Sequence, residues 1–169
     1  MKDNILLTPH FELREFTKSA TAMKQGIANV PPPEAVENLR RLCIGTLEPL
    51  REKLQQPVVI TSGFRCQQLN EIIVHASRKS QHMSGQAADF YVAQGPVQGS
   101  RVQGSRELLI QAFRLIITEP EIDFDQLIIY PTFIHVSYVS REKNRHQLTR
   151  ASSNGAYTAL SRADALALN

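Results

Sequence analysis

His82 and Asp89 stand seven residues apart in "SQHMSGQAADF", residues 80–90. The aspartate lies inside an apolar run, Ala87-Ala88-Asp89-Phe90-Tyr91-Val92, that reads as a strand. A carboxylate in such a run is costly unless it is paired or bound to a metal. His135, in "FIHVSY", brings a second imidazole into another apolar run. Two imidazoles and one carboxylate form a three-ligand set that zinc accepts. A fourth position then stays open, as in catalytic rather than structural zinc sites. Zinc held there would acidify water towards neutrality and turn it into a nucleophile for a carbonyl. From spacing alone, the same residues also suit a buried hydrogen-bonded pair with no metal.

Convergence requires a bend. Seven extended residues would hold His82 and Asp89 roughly 23 Å apart. Ser84-Gly85 offers the turn, because glycine takes positive φ without steric cost. Strand periodicity then puts Phe133, His135 and Ser137 on one face, and Asp89 on a face with Ala87 and Tyr91. His75 is a rival ligand, read here as exposed on a short helix. His10 and His146 sit in polar surroundings and are also read as exposed.

The elements that must position these residues follow from periodicity and punctuation. Residues 11–33 read as a loop-dominated leader with short helical turns, closing on a triple proline. A helix follows, with Val36, Leu39, Leu42, Cys43, Thr46, Leu47 and Leu50 at helical spacing. Pro49 is expected to tighten or end it. "PVVITSGF" reads as a strand entering a turn, and 67–76 as a short helix. "VQGSRVQGSR" is a tandem copy, 97–101 and 102–106, read as an insertion in a surface loop or at a helix entrance. Leu108, Leu109, Ala112, Phe113, Ile116 and Ile117 mark a second long helix. Strands at 126–130 and 133–138 form a tight hairpin at Pro131-Thr132. From Ser140 the tail reads as polar and weakly helical. The expected class is α+β: a small, mostly antiparallel sheet with helices on one side, in one domain over 1–169 with its core at about 10–140.

Bulk properties narrow the function. The net charge of +3 is too small to argue for nucleic acid, and no apolar run is long enough to span a membrane. "MKDNILLTPHFELREF" does not read as a secretory signal. Cys43 and Cys66 form no C-x-x-C pair, and Cys43 falls on an apolar helix face, as a buried free thiol would.

"ITSGFRCxxLN", "SxHxxGxAxDF", "FDQLI" and "IHVSY", in this order, resemble the M15 peptidases. These are zinc D-alanyl-D-alanine carboxypeptidases and phage-endolysin-type peptidoglycan peptidases. The leader is similar too, and the resemblance covers roughly residues 10–140. It implies a carboxypeptidase-like fold, zinc on His82, Asp89 and His135, and a peptidoglycan stem peptide as substrate. It further implies that Arg65 grips a substrate carboxylate, which suits its planar fork. Ser80 would bind substrate or orient the loop, and Asp125 would be structural. The chain departs from the family at one place. The usual acid three positions before the last histidine is replaced by Thr132, which cannot serve as a base near neutral pH. An impaired, peptidase-like domain that binds cell-wall peptide or a protein partner is therefore the alternative to an active enzyme.

Overall fold

The helix expected after the triple proline runs on past Pro49. In the computed structural model, which describes residues 5–74, 76–95 and 104–169, it comprises α3 (Pro33–Leu42), a π-helical turn (Cys43–Leu47) and α4 (Glu48–Leu54). Pro49 has no N–H to give the carbonyl of Gly45, four residues back. That carbonyl instead accepts the backbone N–H of Asp123 at 2.9 Å, while Thr46 Oγ1 donates to the Asp123 carbonyl. The wider turn absorbs the proline, so the helix neither ends nor tightens there. Gly45 is needed at this crossing, because a Cβ would lie 2.7 Å from the Tyr138 ring. Cys43, the first residue of this turn, is buried as a free thiol, and Cys66 is also free.

Ahead of this helix the leader forms two short strands, β1 (Leu6–Thr8) and β2 (Phe11–Glu12), and two short helices, α1 (Leu13–Thr17) and α2 (Ala20–Gln25). The strands pair antiparallel as a small separate sheet. The main sheet contains β3 (Val58–Ser62), β4 (Ala87–Val92), β5 (Gln126–Ile129), β6 (Ile134–Ser137), β7 (Gln147–Ala151) and β8 (Tyr157–Ala159). Its order is β3-β4-β6-β5-β7-β8. Helices α5 (Gln67–Ile72), α6 (Arg106–Thr118) and α7 (Arg162–Leu166) complete the fold. The architecture is α+β with a mixed sheet.

The tail differs from its expected form. β7 pairs parallel with β5, and β8 pairs antiparallel with β7. Leu148 and Ala165 join the hydrophobic core. An unpaired β5 edge is the physical reason: it accepts a strand whose own sequence, "QLTRA", carries little apolar signal. His75 and residues 97–103 of the duplication lie outside the described residues.

The sheet has two unlike faces. Ala88, Phe90 and Val92 of β4, Ile134 and Val136 of β6, and Leu127 and Ile129 of β5 point into a core shared with Leu39, Leu47, Leu50 and Phe113 from the helices. Period-two alternation sends Asp89, Tyr91 and His135 to the opposite face. Among the described residues, no helix is long and apolar enough to cross a membrane.

Candidate metal centre

Antiparallel pairing sets Asp89 of β4 directly opposite His135 of β6. His82 reaches them from a 3-10 turn, Gln81–Ser84, that Gly85 closes at φ 72°. A Cβ on Gly85 would come within 2.3 Å of the Ala35 carbonyl oxygen, so this position needs glycine for its conformation and for its packing. Asn38 of α3 ties the turn down, donating from Nδ2 to the Ser84 carbonyl at 2.9 Å.

Three donor atoms meet. His135 Nδ1 lies 2.8 Å from Asp89 Oδ1. His82 Nε2 lies 3.3 Å from His135 Nδ1 and 3.4 Å from Asp89 Oδ1. Zinc bonds of about 2.0–2.1 Å in tetrahedral geometry require donor separations of about 3.3–3.5 Å. Two of the three edges meet that, and the third is short because the imidazole and the carboxylate share a hydrogen bond. The set fits a metal ion in chemistry and in spacing.

The surroundings hold His82 and Asp89 ready. His82 Nδ1 donates to the Gly63 carbonyl at 2.7 Å, so its hydrogen is on Nδ1 and Nε2 offers a lone pair. His82 is 2 % exposed, and burial lowers its pKa and keeps it neutral. Burial works to raise the Asp89 carboxyl. Its interactions with the His135 and His82 imidazoles outweigh burial and hold the group well below the usual carboxylate range. Asp89 Oδ2 faces away from the imidazoles and accepts from Arg65 Nη2 at 2.9 Å.

Arg65 therefore lies at the centre with a contact of its own. Its Nε donates to Ser62 Oγ at 3.0 Å, so two of its five N–H groups are spent on Ser62 and Asp89. Ser80 precedes the 3-10 turn, and its backbone carbonyl accepts from Met83 N–H at 3.1 Å. Thr132 is exposed in the β5–β6 hairpin. Asp125 is 1 % exposed and saturated. Its oxygens accept from Arg145 at 2.6, 2.8 and 2.9 Å, from Gln81 at 2.9 Å and from Ser137 at 3.4 Å. Burial would raise this group too, but Arg145 and Gln81 bring it down to about 2. His10 and His146 are surface groups, yet each contacts a carboxylate, on Glu48 and Asp123 respectively.

A profile of the peptidase M15 family matches residues 9–112. The chain belongs to the peptidase M15 family. Membership implies hydrolysis of peptides by a metal-dependent enzyme. The matched stretch includes His82 and Asp89 and ends before His135, which the fold brings to them. No curated protein matches the chain.

Some participants escape sequence reasoning. Tyr130 and Phe133 stack with ring centroids 4.2 Å apart, and Tyr130 Oη meets Tyr157 Oη at 3.0 Å. Phe133 directly precedes β6, two residues before His135, so the candidate centre has an aromatic pair close by in the β5–β6 hairpin. Phe133 is visible by period two in the sequence. Tyr157 comes from β8, in the tail that the sequence suggests is weakly helical.

Proposed function

We propose that this protein is a zinc metallopeptidase that hydrolyses peptidoglycan stem peptides at a D-amino-acid bond, on a D-alanyl-D-alanine carboxypeptidase-like fold. The observation that carries the reading is the meeting of His82 Nε2, Asp89 Oδ1 and His135 Nδ1 within 3.4 Å of one another. Zinc, when bound, supplies Lewis acidity. The chain supplies the rest. The Gly63 carbonyl fixes the His82 tautomer, and Arg65 turns Oδ1 of Asp89 towards the two imidazoles. The unspent N–H groups of Arg65 are assigned to a carboxylate of the peptide. Ser80, at the mouth of the 3-10 turn, is assigned to hydrogen bonding with substrate. The test is release of D-alanine or cleaved stem peptide from purified cell wall, with and without chelator. Release that stops with chelator and returns with zinc is expected; release indifferent to chelator overturns the reading.

A second reading rests on a specific observation. Thr132 stands where an acid is usual, and both oxygens of Asp125, an acid nearby in sequence, are occupied. Loss of a general base costs about 10²–10⁴-fold in rate. In this reading the domain binds cell-wall peptide or a protein partner and turns over slowly or not at all. Thr132→Glu separates the two: a rise in rate with unchanged zinc content marks a competent cleft lacking its base.

A further inference from the structure

The sheet has two edges, and they are unlike. β8 is three residues long and fully exposed, a common way to blunt an edge. β3 is five residues long and borders a groove of about 580 Å³. Glu15, Lys18 and Thr21 of the leader form the opposite wall. The groove's floor includes Val59, Ile60, Ser62 and Arg65, with Tyr91 beside them.

Backbone phase decides which groups face this space. The Ala93 N–H donates to the Pro57 carbonyl at 2.8 Å, and Val58, Val59 and Ile60 continue the same register against Val92, Tyr91 and Phe90. Antiparallel bonding alternates, so Pro57 and Val59 direct their polar groups at β4. Val58 and Ile60 direct their N–H and C=O groups outward, away from β4, and Ile60 lines the groove. Among the described residues, no backbone hydrogen bond closes that edge before Phe64, whose N–H donates to the Phe16 carbonyl at 2.7 Å. A bulge between Ile60 and Ser62 then kinks the strand and sets Ser62 opposite Asp89. The open edge thus leads to the residues that hold the metal ligand: Ser62 and Asp89 both bond Arg65.

We infer that an extended peptide substrate docks as an added strand on the outer edge of β3, hydrogen-bonded to Val58 and Ile60, with its scissile end delivered past Ser62 to the metal centre. The inference rests on the peptidase reading above and specifies how its substrate is held. Main-chain bonds to a sheet edge give affinity, and side-chain pockets along the groove are left to give specificity. It also predicts that recognition extends beyond the residue next to the cleaved bond.

The probes are a fluorescently labelled stem pentapeptide ending in D-Ala-D-Ala and the correspondingly labelled D-Ala-D-Ala dipeptide, each titrated against zinc-loaded protein by anisotropy. The pentapeptide is expected to bind about tenfold or more tightly than the dipeptide, the worth of one or two hydrogen bonds. Ile60→Pro removes one outward N–H and leaves the β3–β4 ladder intact. It is expected to abolish the length advantage while dipeptide affinity and zinc content stay unchanged. Should that variant fail to fold, singly N-methylated pentapeptides on the wild-type protein serve instead. At least one amide is expected to cost about tenfold while its neighbour costs little. Equal binding of both lengths, or a length advantage that survives Ile60→Pro and every N-methylation, overturns the inference. Cleavage of the same probes is read in parallel. Cleavage without a length effect removes the edge-strand inference alone; edge-dependent binding without cleavage removes the peptidase reading alone.

Discussion

Asp89 and Asp125 look alike in the sequence: each is a carboxylate set in or against an apolar strand, and each is held ionised below its ordinary range. Their partners make them different. Asp125 is met by Arg145, Gln81 and Ser137, which donate to it. Every lone pair they reach is consumed, and the result is a lock. It fixes Gln81, the residue before His82, and joins the tail to the sheet. Asp89 is met by Arg65 on one oxygen and by two imidazoles on the other. A neutral imidazole has a lone pair as well as a hydrogen, so that side of the cluster can accept a cation. The lesson is chemical. A buried carboxylate surrounded by obligate donors is structural, and one facing groups that can also accept has the make-up of a ligand set.

The contrast breaks most sharply at Asp89 itself. Asp89→Asn removes one of the three proposed ligands and is expected to weaken zinc binding roughly a thousandfold, one ligand's share of a typical zinc site. Metal analysis of the purified variant should find zinc far below one per chain, with no peptide release. Retained zinc at wild-type affinity would mean that Asp89 belongs with Asp125 as a lock. Asp125→Asn should show the opposite profile. Loss of a buried ion-pair partner costs about 3 kcal/mol, a fall of about 10 °C in Tm for a chain of this size. The folded fraction should keep its zinc. A variant that melts normally but loses metal would merge the two aspartates into one site.

Arg65 straddles the comparison, since it is an obligate donor on the metal side. Arg65→Lys keeps the charge and loses the fork. Two effects are expected: a fall in zinc affinity of about tenfold, as for other partners of a metal ligand, and a rise in KM for peptides with a free carboxylate. Zinc affinity alone changing would assign Arg65 wholly to Asp89, and KM alone changing would assign it wholly to substrate.

How much of this was legible varies with the range of the interactions. The helical spacing of Leu39, Leu42, Leu47 and Leu50 is local, and the helix formed where expected. Its passage through Pro49 was not legible, because the relief comes from Asp123, remote in sequence. β7 was missed for the same reason: "QLTRA" becomes a strand only because β5 has an edge to fill. At the centre, residue types and the Gly85 turn could be read directly, and period two put Asp89 and His135 on usable faces. The bonds from Arg65 to Asp89 and from His82 to Gly63 could not be read, since they depend on how β3 and the 3-10 turn approach in space.

The smallest effect is also the finest test of the pairing logic, and it concerns pH in the metal-free protein. His82 is buried neutral with a lowered pKa, so below about pH 6.5 the unfolded chain takes up a proton that the folded chain resists. Stability therefore declines as pH falls from that point. Asp125 acts lower down. Its folded value of about 2 lies beneath the unfolded value of about 3.9. Its contribution is complete above about pH 4 and disappears as pH falls through about 2. Urea unfolding of wild type and Asp125→Asn across this range should give a constant gap in ΔG from pH 7 to about 4, closing towards pH 2. The decline that starts near pH 6.5 should be the same in both proteins. A gap that is unchanged at pH 2 would mean that Asp125 stabilises through shape and not through its charge. The two aspartates would then differ in burial alone, and the distinction between lock and ligand would lose its electrostatic basis.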